Sequence, residues 1–153
     1  MNEKTQTAAE LLNKVGYGIL STHSLDCPGY PFGSLTPYAL DGKNYPILLV
    51  SDLAQHTKNM IEDPKVSLTI AEESDDDKKQ TLGRLTYLGT AQKIEESDAD
   101  FKEVSNIYLS RFPESKSYFE AHNFFFYRLN FFRGRLIEGF GKICWIEKED
   151  WSD

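Results

Sequence analysis

The chain has 153 residues, of which 40% are hydrophobic, and this is enough for one domain with a sizeable core. Its formal net charge of −7 argues against a general binder of nucleic acids or of anionic membranes, because both of these partners require a basic surface. Cys27 and Cys144 are too few for a zinc motif or a disulfide framework, and the polar N-terminal segment contains no apolar run of membrane-spanning length. We therefore expect a cytoplasmic protein with a single domain over residues 1–153.

The N-terminal part of the chain predicts one helix and several short strands. Apolar residues spaced i, i+3, i+4 and i+7 predict a helix over 8–15, with Gly16 as its stop. Proline and glycine residues over 25–33 indicate a loop or an edge strand. Asp41-Gly42 is a hairpin signal between two of the predicted strands. The strands predicted here cover 17–22, 34–40 and 45–51.

A polar turn with a short helix follows the strand over 45–51. Hydroxyl, imidazole, cationic and amide side chains cluster there: Ser51, His56, Thr57, Lys58 and Asn59. The first backbone N–H groups of a helix lack helical partners and bind anions well, so the cluster predicts a phosphate site. An ordinary solvated helix start would use the same residue types, and His56 could equally be a structural histidine.

The C-terminal part of the chain predicts the rest of a sheet. Alternation of apolar and polar residues over 65–71 is typical of a strand with one buried face. The charged stretch over 72–81 predicts a solvated, mobile loop tip. Ser97, followed by acidic residues, predicts the start of a helix that runs to about Arg111. The remaining predicted strands cover 82–92, 123–129, 135–140 and 142–147.

The predicted strand over 123–129, NFFFYRL, is apolar on both faces. Phe124 and Phe126 alternate with Phe125 and Tyr127, so neither face is polar enough to meet water alone. In a small antiparallel protein the second face of such a strand is often covered by another subunit. The segment therefore predicts a homodimer.

The order of the predicted elements favours an α+β fold. Short strands in hairpin order, about seven in number, with two or three peripheral helices, favour a mainly antiparallel barrel over a βαβ nucleotide fold. The sequence contains no GxGxxG, P-loop, HExxH or GxSxG motif, so the commonest dinucleotide-binding, NTPase and zinc-protease classes are excluded on motif grounds.

Several segments, in this order, resemble the split-barrel flavoproteins of the pyridoxamine 5′-phosphate oxidase type: PGYPFGSLTPYALDGKNYPILLVSDLAQHTKNMIEDPKVSL, GRLTYLGTAQKIEE, YLSRFPES, FFFYRL and GFGKICWI. The closer similarity is to the haem-utilisation branch called HugZ-like, which is related to the CREG glycoproteins. The resemblance covers roughly residues 8–147. It implies a six-stranded split β-barrel and a homodimer with FMN bound at the subunit interface.

The resemblance assigns two strands to the flavin ring and its surroundings. The strand that carries Ser34, Leu35 and Thr36 would run along the isoalloxazine edge. Arg84 and Thr86 would supply further polar contacts. From the residues alone, pairing of Arg84 with an acid on a neighbouring strand is an equally good interpretation.

The resemblance assigns the polar turn to the ribityl phosphate of FMN. Ser51 and the run His56-Thr57-Lys58 match the segment that holds this phosphate in the family. The assignment agrees with the phosphate site that the side-chain types predict on their own.

Three functions are compatible with these residues. The first is an FMN-dependent oxidoreductase acting on a small molecule, in which the flavin carries the electron chemistry and no catalytic side chain is predicted. The second is a protein that binds or degrades haem, which would need an apolar groove and one histidine, such as His122. The third is a non-catalytic split-barrel binding module.

Overall fold

The backbone forms one curled antiparallel sheet with helices around it, which confirms the α+β prediction. The structure is a computed structural model that describes residues 1–74, 82–121, 123–139 and 141–151. His122 and most of the predicted loop tip over 72–81 lie outside the described residues. The strands are β1 (Tyr17–His23), β2 (Pro31–Pro37), β3 (Ala39–Leu40), β4 (Pro46–Ser51), β5 (Lys65–Ala71), β6 (Arg84–Ile94), β7 (Phe124–Ile137) and β8 (Ile143–Ile146). The helices are α1 (Glu3–Val15), α2 (Gln55–Glu62), α3 (Phe101–Arg111), α4 (Lys116–Glu120) and α5 (Lys148–Trp151), with a 3-10 turn over Pro113–Ser115.

The described part of the chain has eight strands, so the six-stranded count implied by the resemblance is wrong. The predicted strand over 34–40 is interrupted at Tyr38 and contributes both β2 and β3. The predicted strands over 123–129 and 135–140 are instead one strand of 14 residues, β7. They are continuous because β7 pairs with β6 from Phe126 to Ile137, across both predicted strands, and β8 then returns antiparallel to β7.

The described helices number five rather than two or three. The additional ones, α4 and α5, have only five and four residues, too few to show helical periodicity in the sequence. α1 begins earlier than predicted because the Asn2 side chain caps it, accepting the backbone N–H of Thr5 at 2.9 Å. α3 begins at Phe101 without a side-chain cap, so Ser97 does not start this helix.

Tyr38 connects the two edges of the sheet. The strand order is β2-β1-β5-β6-β7-β4-β3, so β2 and β3 lie at opposite ends although only Tyr38 separates them along the chain. The sheet must therefore curl towards closure at this residue. The buried hydroxyl of Tyr38 donates to the Leu12 carbonyl at 2.7 Å and accepts the Gly16 N–H at 3.3 Å, which fixes the bend against the end of α1.

The main core lies between the inner face of the curled sheet and α1. Leucines from four strands and from α1 meet there: Leu12, Leu20, Leu68, Leu85 and Leu129. A second cluster covers the opposite side of β7, where Phe126 packs with Val104 and Tyr108 of α3. The two apolar faces of NFFFYRL are thus both covered within one chain, so this segment no longer argues for a homodimer.

None of the helices in the described ranges combines the length and the apolar character that crossing a membrane requires.

Replacing Tyr38 with Phe should lower the free energy of unfolding by about 1–3 kcal/mol, because the Leu12 carbonyl and Gly16 N–H would lose a buried partner. Urea denaturation measures this loss. Burial raises the pKa of Tyr38 to about 12, so its contribution is complete below about pH 10 and is lost as the pH rises towards 12. The variant should therefore show a flatter dependence of stability on pH in this window.

Tyr30→Phe is the matched control, since Tyr30 is exposed. It should change neither the urea midpoint nor the alkaline slope. A Tyr38→Phe protein that behaves like this control would contradict the role given to the hydroxyl.

Candidate functional site

The cofactor-binding residues predicted from the sequence fall on two sides of the sheet. Ser34 and Thr36 face inwards from β2, on the side where α2 packs. Leu35, Arg84 and Thr86 face the other way. We call the side opposite α1 and the main core the outer face. The structure therefore separates the predicted phosphate residues from Leu35, Arg84 and Thr86.

The predicted residues on the inner side lie around α2, and we call them the inner group: Ser34, Thr36, Ser51, His56, Thr57 and Lys58. Ser51 ends β4, and its hydroxyl accepts the Leu53 N–H at 3.1 Å. Thr57 is fully buried, whereas Lys58 is exposed. Burial lowers the pKa of His56 below its usual value, so its imidazole is neutral at pH 7. The phosphate cluster predicted from the sequence thus has buried and exposed members.

Asn59, a member of that cluster, has a structural role. Its side-chain oxygen accepts the Leu25 N–H at 3.0 Å and the Gln55 side-chain amide at 3.1 Å. Its amide nitrogen donates to the Thr22 hydroxyl at 3.0 Å. Because Asn59 is fully buried, these bonds join α2 to β1 and to the loop before β2.

Three polar atoms of the inner group lack a hydrogen-bond partner. Among the described residues, five buried side-chain polar atoms have no partner, and three of them are Ser34 Oγ, His56 Nε2 and Thr57 Oγ1. An unsatisfied buried group of this kind costs about 1–3 kcal/mol. These atoms belong to β2 and α2, two of the elements that the resemblance assigns to FMN. Two hydroxyls and a neutral imidazole are a donor set that fits the polar atoms of this cofactor.

The outer face carries a continuous row of paired residues. Pairing registers place six residues side by side across six strands: Leu35, Ile19, Thr69, Thr86, Arg135 and Trp145. Leu35 is 67% exposed and Ile19 is 44% exposed, so this end of the row is an apolar surface. The other end is cationic and aromatic.

Three arginines lie on neighbouring positions of this face. Thr86 pairs with Arg135, Leu88 pairs with Arg133, and Arg84 lies two residues before Thr86 on the same strand face. The guanidinium carbons of Arg133 and Arg135 lie 3.8 Å and 4.8 Å from the ring centroid of Trp145. Such stacking holds the two cations on this face. Arg133 is also paired with Glu147, whose Oε1 lies 2.9 Å from Nε and 2.8 Å from Nη2 of the arginine.

A groove of about 500 Å³ opens beside these arginines. Apolar side chains line much of it: Pro31, Val66, Leu88 and Phe132. A β-bulge between Leu88 and Gly89 leaves Phe132 without a partner on β6, and its ring is 63% exposed. Gly89 permits the bulge, because an added Cβ would meet the Asn130 carbonyl at 2.8 Å. Bulges often redirect side chains beside functional sites in this way.

Local sequence patterns did not identify Arg133, Arg135 and Trp145 as site residues. Arg133 fell in the gap between two predicted strands that are in fact one, so its face was not assigned. The alternation of Trp145 with Cys144 and Ile146 could have identified its outward side, had the pairing of β8 with β7 been known.

The chain is similar to several known proteins. The "CREG, beta-barrel" family matches residues 1–153. "Non-canonical heme oxygenase HOZ, chloroplastic" of Arabidopsis thaliana is 40% identical over 105 residues, which are 69% of this chain and 31% of that protein. "Heme oxygenase HutZ" of Vibrio cholerae is 26% identical over 136 residues, covering 88% of this chain and 77% of that protein.

A solved structure of a heme binding protein from Mycobacterium smegmatis superposes with a TM-score of 0.89 at 24% identity, covering 99% of this chain and 61% of that chain. The chain thus spans less than a third of HOZ and about three fifths of the Mycobacterium protein. The fold match and the family match confirm the resemblance to split-barrel proteins of the haem-utilisation branch. The chain belongs to the CREG beta-barrel family.

Proposed function

We propose that this protein binds haem on the outer face of its sheet and degrades it. The observation that carries the proposal is the combination of an apolar groove with three arginines on one face. Haem is a flat apolar ring with two carboxylates at one edge, and it needs both kinds of surface together. Two relatives are named as haem oxygenases, which supports the same ligand class.

The apolar residues would bury the ring. Leu88 and Phe132 project from the outer face beside the groove, and burial of their surface against a porphyrin would be favourable at about 25 cal/mol per Å². Removing water from this surface also strengthens nearby electrostatic contacts. As the substrate, haem would bring the iron that reacts with oxygen, while this chain orients the ring and shields it from solvent.

The arginines would hold the carboxylates. A guanidinium binds a carboxylate through two parallel hydrogen bonds, and Trp145 keeps the guanidinium groups of Arg133 and Arg135 on the outer face. The net charge of −7 would otherwise repel a dianionic ligand, so a local cationic cluster is required.

The double variant Arg133→Ala/Arg135→Ala should bind haem at least tenfold more weakly, because each charge-assisted hydrogen bond contributes about 1.5–3 kcal/mol. Titration with hemin, followed by the Soret band, measures the dissociation constant. Lys102→Ala, which removes an exposed cation from α3, is the control and should bind like the wild type. Equal affinities of the double variant and the control would refute the arginine site.

We also propose that two copies of the chain pair through the apolar end of the outer face. Leu35 and Ile19 are directly paired and exposed, and Tyr17 extends the same face. A second copy would remove this patch from water and could enclose one side of the ligand groove.

The double variant Ile19→Asp/Leu35→Asp should be monomeric, because two carboxylates would be buried without partners in the interface. Light scattering should give twice 17.5 kDa for the wild type and 17.5 kDa for this variant. Ile61→Asp places one carboxylate on an exposed residue of α2 and should remain dimeric. A wild-type particle of 17.5 kDa at micromolar concentration would exclude the dimer.

FMN is a second candidate ligand, and the atoms without partners on β2 and α2 favour it. Ser34, His56 and Thr57 would bind it, and Lys58 would add a cation for the phosphate. The flavin would supply the redox chemistry of an oxidoreductase acting on a small molecule, and this chain would position it.

The Thr57→Val variant tests whether the start of α2 binds FMN or is an ordinary helix start without a ligand. Valine keeps the shape of threonine, and the Thr57 hydroxyl has no partner, so the variant should be as stable as the wild type or more stable in urea. If the hydroxyl binds FMN, the same variant should lose about tenfold in FMN affinity, measured by quenching of flavin fluorescence. Unchanged affinity would remove Thr57 from the FMN site.

A further inference from the structure

We propose that Glu147 is a positioning residue of the haem site, which orients Arg133 so that one edge of its guanidinium is directed to a carboxylate of the ligand. This inference rests on the proposed haem-binding function and adds a residue that makes the site selective for ligands with carboxylates. Its basis is the geometry of Arg133, Trp145 and Glu147, together with the anchored backbone on both sides of Glu147.

Glu147 lies across from Arg133 because of the register between β7 and β8. The ladder of these two strands ends at the pair of Gly134 with Ile146, so the next residues on the two chains are Arg133 and Glu147. Arg133 also pairs with Leu88 of β6, which lines the groove. The carboxylate of Glu147 therefore meets an arginine at the border of the ligand groove.

The backbone on both sides of Glu147 is anchored. Ile146 before it is fully buried, and the Asp150 N–H donates to the Glu147 carbonyl at 3.1 Å. In α5, Trp151 is buried and stacks on Phe131 with 4.4 Å between the ring centroids. These contacts fix the point from which the Glu147 side chain extends, and this limits the positions that its carboxylate can take.

The guanidinium of Arg133 is held on one edge and on one face. Oε1 of Glu147 accepts from Nε at 2.9 Å and lies 2.8 Å from Nη2, so it occupies the side edge. Trp145 covers one face, with its ring centroid 3.8 Å from the guanidinium carbon. The end edge, formed by Nη1 and Nη2, then directs two parallel N–H groups away from Glu147, and this is the geometry that binds a carboxylate through two hydrogen bonds. A ligand can use that edge without displacing Glu147.

Orientation is the contribution that this arrangement can make to binding. Arg133 is 37% exposed and Glu147 is 47% exposed, so solvent screens the ion pair and the pair itself adds little to stability. An unrestrained arginine loses side-chain freedom when it binds a ligand, whereas Glu147 and Trp145 restrict Arg133 before the ligand arrives. We therefore expect Glu147 to favour haem binding, although its charge alone would repel an anionic ligand.

The experiment is titration of the full chain with hemin and, in parallel, with hemin dimethyl ester, whose carboxylates are blocked. Glu147→Ala should raise the dissociation constant of hemin about fivefold, because it frees Arg133 although it removes a negative charge. Glu147→Gln retains a side-chain oxygen that can accept the same N–H groups, so it should bind hemin within about twofold of the wild type. Neither variant should bind the ester differently from the wild type.

Glu149→Ala is the matched control. It removes the same charge from an exposed residue of α5, two positions beyond Glu147, and should bind both ligands like the wild type. Circular dichroism and urea denaturation of each variant show whether the fold is intact.

The outcomes separate this inference from the function on which it rests. A wild-type protein that gives no Soret band with hemin would overturn both. If Arg133→Ala/Arg135→Ala weakens hemin binding but Glu147→Ala binds hemin as tightly as Glu149→Ala, or more tightly, only the role of Glu147 is refuted. Equal weakening of hemin and of its dimethyl ester in Glu147→Ala would also refute that role, since the substitution would then disturb the groove rather than the orientation of Arg133.

Discussion

The fold depends on one bend in the chain, at Tyr38. Strands that follow each other in sequence usually lie side by side, but β2 and β3 lie at opposite edges of the sheet, and the short link through Tyr38 requires the sheet to curl. The Tyr38 hydroxyl fixes that bend by hydrogen bonds to the Leu12 carbonyl and the Gly16 N–H at the C-terminal end of α1. The sheet curls around α1 on one side. α3 covers only part of its other side, at β4 and β7, and the rest of that side carries the proposed ligand groove.

The two faces of the sheet offer different chemistry. The inner group near α2 has unsatisfied hydroxyl and imidazole atoms, which suit the polar part of a flavin. The outer face has an apolar groove beside stacked arginines, which suits an apolar ring with carboxylates. The β-bulge at Leu88 and Gly89 matters for the second site, since it turns Phe132 outwards at the edge of that groove.

Local sequence patterns predicted those elements in which one face is consistently buried in the core and the other is not. The strand over 65–71 was predicted with its observed ends, because its apolar residues alternate strictly against the core. The sequence predicted β7 as two strands, because Asn130 and Gly134 interrupt its apolar run. In the structure, its pairing with β6 continues past both residues. α4 and α5 are too short for any period to be visible, so packing alone establishes them.

By itself, the sequence determined the α+β class, the family, and the residues that form the turn around Ser51 and α2. It did so because hydrophobic period, turn residues and side-chain types are local properties of the chain. The tertiary structure alone decided that Arg84 and Thr86 lie on a different face from Thr57, and that Arg135 and Trp145 lie beside them. Those relations depend on strand register, since pairing brings together residues that are far apart in sequence and a shift of one residue would turn each side chain to the other face.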